Sequence, residues 1–260
     1  MNNQLHYINF GTIVPIRAEH SDESEIMTQM LFGDTFEILD THKQWNYIKT
    51  TYDAYEGWID EKVVRKMTAQ DFETHQKAPR YYTADIVNEV VFDTSGKFLL
   101  PMGSVLPGFN PETQLVKINN EIGVFKGKFI TGKHDKMEVL KYALTYMNAP
   151  YLWGGKTHFG LDCSGLTQMT YKMCGHFMLR NAKDQATQGT SIKLSEAEAG
   201  DLAFFTNDKG RVIHVGFLLG NGQIFHSHGN AHIDPIDEKG IWSKQFQRYS
   251  HRLSDVKRIV

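Results

Sequence analysis

The stretch Asp162-Cys163-Ser164-Gly165 marks the start of a predicted helix that continues to Met173. A segment with helical spacing of apolar residues precedes it, and three strand-like runs follow it. An Asn-Gly pair, typical of a two-residue hairpin turn, separates the last two runs. Helices followed by an antiparallel sheet indicate an α+β domain. The preceding helical segment covers 136–147, and the strand-like runs cover 202–205, 214–219 and 223–227.

The N-terminal half has a different pattern, in which short strand-like runs alternate with polar and glycine-containing turns. A polar stretch at 65–79 separates two such regions, whose sequences are too different to establish a repeat. We therefore predict two small all-β barrels, over residues 1–66 and 80–129, before an α+β domain over residues 130–260. The runs are 35–39, 45–50, 57–59, 87–92, 104–106, 114–118 and 122–125.

The composition excludes several classes of protein. The chain has 260 residues, a formal net charge of −2, 41% apolar residues and 22% charged residues, which is typical of a soluble globular protein. Near-neutral charge argues against nucleic-acid binding, and no run approaches the roughly 20 apolar residues of a membrane span. Residues 1–10 lack the features of an export signal. We expect a cytoplasmic protein, or an exported one if a signal has been removed; the oligomeric state stays open.

The chain has two cysteines, Cys163 and Cys174. A continuous helix would place them about 16 Å apart along its axis, which is too far for a disulfide. A thiol at a helix N-terminus faces unpaired backbone N–H groups that favour the nucleophilic thiolate. The Cys163 N–H could also stabilise an oxyanion on an attacked carbonyl. The alternative is a small buried hydrophobic residue, which is our interpretation of Cys174.

Two histidines complete a candidate catalytic set. His214 begins an otherwise apolar strand, and His226 lies on the strand predicted to pair with it. Cross-strand neighbours have Cβ atoms roughly 5 Å apart, so the two rings could touch. We predict Cys163 as the nucleophile, His214 as its base and His226 as the residue that orients the base. Two structural histidines are the alternative, but their strand context favours the triad.

These residues lie within motifs that resemble the NlpC-type cell-wall peptidases, over about residues 130–260. The resemblance implies a papain-like fold and a Cys-His-His triad at Cys163, His214 and His226. It also implies that Tyr151 lies beside the thiol and helps the oxyanion hole. The upstream regions resemble the bacterial SH3-like domains that precede this catalytic domain. The motifs are YLWGG at 151–155, LDCSGL at 161–166, AGDLAFF at 199–205, HVGF at 214–217 and IFHS at 224–227.

The domain combination resembles one subgroup, the γ-D-glutamyl-L-diamino acid endopeptidases. The resemblance implies a peptidoglycan stem peptide with a free N-terminal L-alanine as substrate. Cleavage would fall between γ-D-glutamate and meso-diaminopimelate or lysine, and the preferred diamino acid stays open. Asp162 could pair with the substrate ammonium and so disfavour acylated chains. Ser164 and Trp153 match pocket positions of the subgroup, although Trp153 could equally be a core residue.

Three further pocket residues follow from the same resemblance. The subgroup closes its pocket with an acidic residue and a tyrosine from the first SH3-like domain. Glu25 and Tyr55 are the candidates, with a surface glutamate and a barrel aromatic as the alternatives. Asn181 follows Arg180 where the family often has aspartate, which removes a charge that could bind the amine of the diamino acid. Arg180 itself could pair with a substrate carboxylate or be an exposed structural arginine.

Other functions remain as alternatives to the peptidase. The histidines at 214, 226, 228 and 232 with Cys163 could imitate a zinc enzyme, but the chain has no His-Glu-x-x-His spacing. We therefore expect no metal and no cofactor. A non-catalytic wall-binding protein would not need the complete triad, and an acyltransferase or amidase could use the same thiol. A free-amine pocket would fit recycling of released peptides better than remodelling of the wall.

Overall fold

A computed structural model describes residues 5–260, and the chain divides into two compact units between Gly132 and Lys133. Sheets dominate both units, and each unit also contains short helices. Among the residues that the model describes, no helix is long and apolar enough to cross a bilayer.

The first unit begins with a seven-stranded antiparallel sheet in the order β3-β2-β6-β5-β4-β1-β7. Buried and partly exposed residues alternate along β2, as the two-residue period of a strand with one face on a core requires. Ile16, Phe36 and Ile48 are fully buried in that core. The strands are β1 (His6–Asn9), β2 (Ile13–Arg17), β3 (Ile26–Leu31), β4 (Thr35–His42), β5 (Trp45–Thr50), β6 (Glu56–Asp60) and β7 (Val64–Met67).

A second sheet in this unit has the order β10-β9-β12-β11. Its core is continuous with the first sheet, because Phe10 and Phe32 pack in one cluster with Phe92 and Phe125. The predicted strand at 104–106 is wrong, since this short run between two turns forms only an isolated bridge. The elements are α1 (Ala69–Lys77), β8 (Tyr81–Thr83), β9 (Val87–Phe92), β10 (Gly96–Pro101), β11 (Leu115–Ile118), β12 (Glu121–Phe125) and β13 (Phe129–Thr131).

The second unit places its main helices before a seven-stranded antiparallel sheet, which is the predicted α+β order. The strand order is β16-β22-β17-β18-β19-β20-β21, and β21 also pairs with β22, so six strands close on themselves. The elements are α2 (Lys136–Leu144), β14 (Lys156–Thr157), β15 (Gly160–Leu161), α3 (Cys163–Met173), α4 (Ala182–Gln185), β16 (Thr190–Ile192), β17 (Leu202–Thr206), β18 (Val212–Gly220), β19 (Gln223–His228), β20 (Asn230–Asp237), β21 (Gly240–Ser243) and β22 (Arg248–Arg258).

The hairpin between β18 and β19 sets the register of the strands that carry the two predicted catalytic histidines. Asn221 and Gly222 both have positive φ, 51° and 68°, as a type I′ turn requires. Gly220 pairs with Gln223 across this turn, and the register then places Gly216 opposite His226. The predicted hairpin is confirmed, and it brings the start of β18 near the end of β19.

Candidate active site

The candidate nucleophile lies at the first position of α3. Asp162 is the N-cap of this helix, and its carboxylate accepts a hydrogen bond from the Gly165 N–H at 2.6 Å. A Cβ on Gly165 would lie 2.2 Å from the carbonyl oxygen of Gly155, so only glycine permits this close approach of loop and helix. Cys163 is therefore held in place by backbone packing, and its side chain is only 7% exposed.

A buried ion pair anchors the start of the helix. Arg180 donates to both carboxylate oxygens of Asp162, at 2.6 Å and 3.0 Å, and its side chain is 2% exposed. The Gly154 N–H donates to Asp162 at 2.8 Å, and the Ser164 hydroxyl donates to it at 3.2 Å. Arg180 also donates to the Ser164 oxygen at 2.8 Å. The alternative of an exposed structural arginine is therefore wrong, because Arg180 is the buried counter-ion of Asp162.

These contacts change the interpretation of two predicted binding residues. A carboxylate offers about four lone-pair positions, and Asp162 already accepts five hydrogen bonds. A substrate ammonium would therefore meet a neutralised ion pair and not an open carboxylate. Ser164 is buried in the same network. The binding roles of Asp162 and Ser164 stay predictions, and both residues also shape the helix start.

The two predicted histidines form a buried hydrogen-bonded pair. His214 Nε2 and His226 Nδ1 lie 2.9 Å apart, and the two rings are nearly perpendicular. They are diagonal neighbours, because the residue directly opposite His226 is Gly216. A Cβ on Gly216 would lie 2.8 Å from the Cβ of His226. The glycine therefore gives His226 the space to reach His214 across the diagonal.

Burial decides the protonation of the thiol and the imidazole. Burial and the Asp162 charge raise the pKa of Cys163 to about 12, although the backbone groups of Val215 and Ser164 hydrogen-bond to the thiol and oppose this rise. Burial also lowers the pKa of His214 well below its ordinary value, and the neighbouring histidines lower it further. The helix start alone therefore does not make a thiolate. Burial thus favours the neutral thiol and the neutral imidazole.

Three residues lie behind the histidine pair: His232, which was considered from the sequence only in the zinc alternative, and Asp234 and His251, which were not identified. Asp234 Oδ2 lies 3.6 Å from His226 Nε2 and 3.1 Å from His232 Nε2. His251, on β22, stacks on His214 with ring centroids 4.1 Å apart. His232 and Asp234 are two residues apart on β20, so their alternation on one strand face was an available signal. His251 had no such signal, because strand closure alone brings it to His214.

The remaining predicted site residues of this unit lie in different surroundings. Tyr151 is half-buried, and burial together with the nearby Cys163 raises its pKa, which agrees with a position beside the thiol. Trp153 is 59% exposed, so the alternative of a core residue is wrong. Asn181 is the N-cap residue of α4, and its side-chain amide donates to Asp184 at 2.9 Å. Their binding roles stay predictions.

The two candidates from the first unit lie next to strands of its large sheet. Glu25 is exposed and directly precedes β3, and its carbonyl oxygen accepts from the Ala18 N–H. Tyr55 is half-buried before β6, and its N–H donates to the Thr50 hydroxyl at 2.9 Å. Their predicted part in closing a pocket stays a prediction.

Comparison with known proteins identifies the two domain types. The model of the NlpC/P60 family matches residues 148–251, which include the candidate nucleophile and both histidines. The chain contains an NlpC/P60 domain. The model of the bacterial dipeptidyl-peptidase SH3 domain matches residues 16–63, within the first sheet. The NlpC/P60 domain is that of a cysteine peptidase family, so the chain is a peptidase with one identified SH3 domain; the second predicted barrel stays a prediction.

Relatives and solved structures extend the similarity over most of the chain. A γ-D-glutamyl-L-lysine dipeptidyl-peptidase of Bacillus subtilis (strain 168) is 28% identical over 79% of this chain and 73% of its own length. Dipeptidyl-peptidase 6 of Lysinibacillus sphaericus is 29% identical over 90% of this chain and 93% of its own length. The crystal structure of an NlpC/P60 family protein from Bacillus cereus ATCC 10987 has a TM-score of 0.83 at 19% identity, covering 98% of this chain and 99% of that chain. This last similarity supports the fold alone.

Proposed function

We propose that this NlpC/P60 protein is a cysteine endopeptidase that hydrolyses the γ-D-glutamyl-L-diamino acid bond of peptidoglycan stem peptides. The preferred substrates in this proposal have a free N-terminal L-alanine. One observation carries the catalytic part: a thiol at the first turn of α3 lies in the same domain as the hydrogen-bonded pair of His214 and His226. The name of the relative from Bacillus subtilis, a γ-D-glutamyl-L-lysine dipeptidyl-peptidase, supports the choice of bond.

The proposed acylation step uses the neutral thiol. The Cys163 sulfur attacks the γ-glutamyl carbonyl carbon while the thiol proton passes to the ring nitrogen of His214 that does not face His226. The carbonyl π bond opens, and the Cys163 N–H at the helix start is directed at the developing oxyanion. His214 then gives the proton to the nitrogen of the diamino acid, and the C–N bond breaks. A thioester on Cys163 remains.

Deacylation reverses the roles of the same groups. Water attacks the thioester carbonyl and gives a proton to His214, and that proton returns to the leaving sulfur. The alanyl-glutamyl dipeptide leaves with a free γ-carboxylate. Because His214 must accept a proton on one nitrogen, its Nε2 must carry hydrogen and donate to His226 Nδ1 at 2.9 Å. His226 thus orients the base and fixes its tautomer, as the third member of a triad does.

The free-amine preference has support that differs from the sequence argument. Asp162 is already paired with Arg180, so a substrate ammonium beside Asp162 would meet an ion pair with no net charge. The proposal therefore rests on the similarity to the dipeptidyl-peptidases and on the match of residues 16–63 to the bacterial dipeptidyl-peptidase SH3 domain. It does not require Asp162 to bind the amine directly.

The test is cleavage of L-Ala-γ-D-Glu-meso-diaminopimelate and of its lysine analogue, each beside its N-acetylated form, with products identified by mass spectrometry. We expect the free-amine peptides to be cut between glutamate and the diamino acid, with the acetylated forms cut at least about tenfold more slowly. Equal cleavage of both forms would remove the free-amine preference. If folded protein cut neither, the peptidase assignment to these substrates would be wrong.

The two cysteines supply a matched control. Cys174 is buried and free at the end of α3, as Cys163 is at its beginning. We expect Cys163→Ala to abolish turnover and Cys174→Ala to retain it. Adding an amine acceptor such as hydroxylamine distinguishes hydrolysis from acyl transfer. A transferase would form product only with the acceptor, whereas the proposed peptidase turns over in water alone.

The place of the activity in the cell follows from the substrate preference. A stem peptide has a free N-terminal alanine only after it has been released from the sugars of the wall. We therefore propose that the enzyme recycles released peptides in the cytoplasm. Detection of the enzyme in the extracellular or wall fraction of cells would contradict this role.

A further inference from the structure

We propose that His226, His232 and Asp234 form a binding site for a Zn²⁺ ion behind the catalytic histidine pair. One ligand atom from each of the three residues lies within 4.8 Å of the other two. The three residues come from the adjacent strands β19 and β20, where His226 and His232 are direct cross-strand partners. Neither Cys163 nor His214 belongs to this set, so it differs from the zinc enzyme considered from the sequence.

The spacing of the donor atoms fits tetrahedral zinc. Bonds of about 2.0–2.1 Å to nitrogen and oxygen place neighbouring ligand atoms roughly 3.3 Å apart. Asp234 Oδ2 lies 3.1 Å from His232 Nε2 and 3.6 Å from His226 Nε2, which bracket that separation. Two imidazoles and one carboxylate are also a ligand set that zinc accepts with a fourth position left open. The site therefore needs only small movements to receive the ion.

The remaining ring nitrogens hold both histidines in the required orientation. His232 Nδ1 lies 2.9 Å from the carbonyl oxygen of Asn230, and His226 Nδ1 lies 2.9 Å from His214 Nε2. Partners of this kind on the second nitrogen are usual for histidines that bind metals, because they direct the first nitrogen at the ion. His226 Nε2 is fully buried, and no hydrogen-bond partner for it occurs among residues 5–260. A metal ion would provide that partner.

An entry path to the site is present within the same unit. His232 and Asp234 line a pocket of about 530 Å³, together with His228 and the segment around Phe246. The pocket is wide enough for a hydrated ion and for a water molecule on the fourth coordination position. Zinc can therefore reach the cluster without passing the thiol.

Zinc at this position would slow the proposed peptidase. Zinc on His226 Nε2 requires the proton of that ring on Nδ1, which then donates to His214 Nε2 at 2.9 Å. The proton of neutral His214 is then on its other nitrogen, which can no longer accept the thiol proton. The ion also adds two positive charges next to the base, which must itself become positive during acylation. This opposing charge predicts a fall in kcat of about tenfold or more. The effect on turnover rests on the proposed function, whereas binding of the ion does not.

The test is a titration of the purified chain with Zn²⁺ alone, followed by calorimetry, with variants that separate the candidate ligands. We expect one equivalent to bind to wild type and to Cys163→Ala. His232→Ala should weaken binding by at least about 100-fold, since losing a ligand costs more than losing an outer partner. His42→Ala is the control, because His20 and His42 form another histidine pair, with ring centroids 4.2 Å apart.

Several outcomes would overturn the proposal. Folded wild-type protein that binds no zinc would do so directly, without any variant. Loss of binding in Cys163→Ala would place the ion on the thiol, and loss in His42→Ala would place it on the first unit. Cobalt substitution provides a second measurement, in which a site without sulfur shows d–d bands of a tetrahedral ion but no thiolate charge-transfer band. A charge-transfer band that disappears in Cys163→Ala would contradict the assigned ligands.

Discussion

Removing Arg180 is expected to destabilise the second unit strongly, because its guanidinium is the buried counter-ion of Asp162. The change Arg180→Met keeps much of the side-chain volume but takes away bonds of 2.6 Å and 3.0 Å to that carboxylate. Breaking a buried pair by removing one partner costs about 3–5 kcal/mol. The N–H groups of Gly154 and Gly165 still donate to Asp162, so we expect the lower end, about 3 kcal/mol.

Urea unfolding measures this loss. With a slope of about 2 kcal/mol per molar urea, a loss of about 3 kcal/mol lowers the midpoint by about 1.5 M. The matched control is Lys77→Met, which breaks an exposed pair with Glu73 on α1 and should change stability by less than about 0.5 kcal/mol. Equal midpoints for Arg180→Met and Lys77→Met would refute a buried, stabilising contact at the helix start.

A double-mutant cycle that combines Arg180→Met with Asp162→Asn measures the interaction energy between the two residues. Asparagine is also a good N-cap, so this variant keeps the cap of α3 while it removes the charge. Each single variant leaves one charge buried and unpaired, whereas the double variant leaves none. We therefore expect the double variant to be more stable than the sum of the single effects predicts, by about 1–3 kcal/mol. Simple additivity would show that Asp162 and Arg180 do not act as a pair.

Three further predictions concern the histidines and a glycine beside them. His226→Ala should lower kcat by about 10²–10⁴ while substrate binding changes little, and steady-state kinetics that show unchanged kcat would contradict its orienting role. Gly216→Ala should lower kcat by about 10–100-fold, because the new Cβ would press on His226 at 2.8 Å. Gly210→Ala, where a Cβ meets nothing within 4 Å but φ is +71°, should cost some stability and retain turnover in the folded protein. Burial holds the pKa of His158 at about 4, below its ordinary value, so the unfolded chain binds its proton first as the pH falls. The contribution of His158 to the free energy of unfolding is therefore complete above pH ~6.5 and falls by about 2–3 kcal/mol between that pH and pH ~4. Urea unfolding across that range checks it, and His158→Gln should reduce the pH dependence by that amount, because other buried histidines with lowered pKa values remain.

Local sequence signals were sufficient for several elements of the second unit. The Asn221-Gly222 turn was predicted from its dipeptide, because positive φ at both positions is cheap only for such residues. A helix that begins near Cys163 and continues to Met173 was also predicted, and the observed helix runs from Cys163 to Met173. In both cases the deciding interactions lie within a few residues of each other, so the sequence contains the information directly.

The strand β22 was not predicted, and the reason is its dependence on distant partners. Its eleven residues are mostly polar and only Val256 is buried, so no apolar alternation identifies it. Pairing with β16, β17 and β21 makes it a strand, and those segments lie far away in the chain. The position of His251 against His214 follows from that pairing and could not be predicted without it.

The role of Asp162 shows a different limit of sequence reasoning. The sequence gives the carboxylate and its place beside the nucleophile, but it does not give the counter-ion. Arg180 lies 18 residues away, after the end of α3, and its fully buried guanidinium could not be distinguished from a surface arginine. A charged residue can thus be recognised in the sequence, whereas the residue that neutralises it is known only from the folded structure.

The closure of the sheet by β22 also determines when the site can assemble during translation. Residues 248–258 pair with β17 and β21, and they carry His251 to the ring of His214. A nascent chain that ends before this segment leaves β16 without a partner, leaves β17 and β21 each with one unpaired edge, and leaves the base incompletely packed. The base is therefore fully packed only after this strand has left the ribosome, so the reactive centre is completed late in synthesis of the domain.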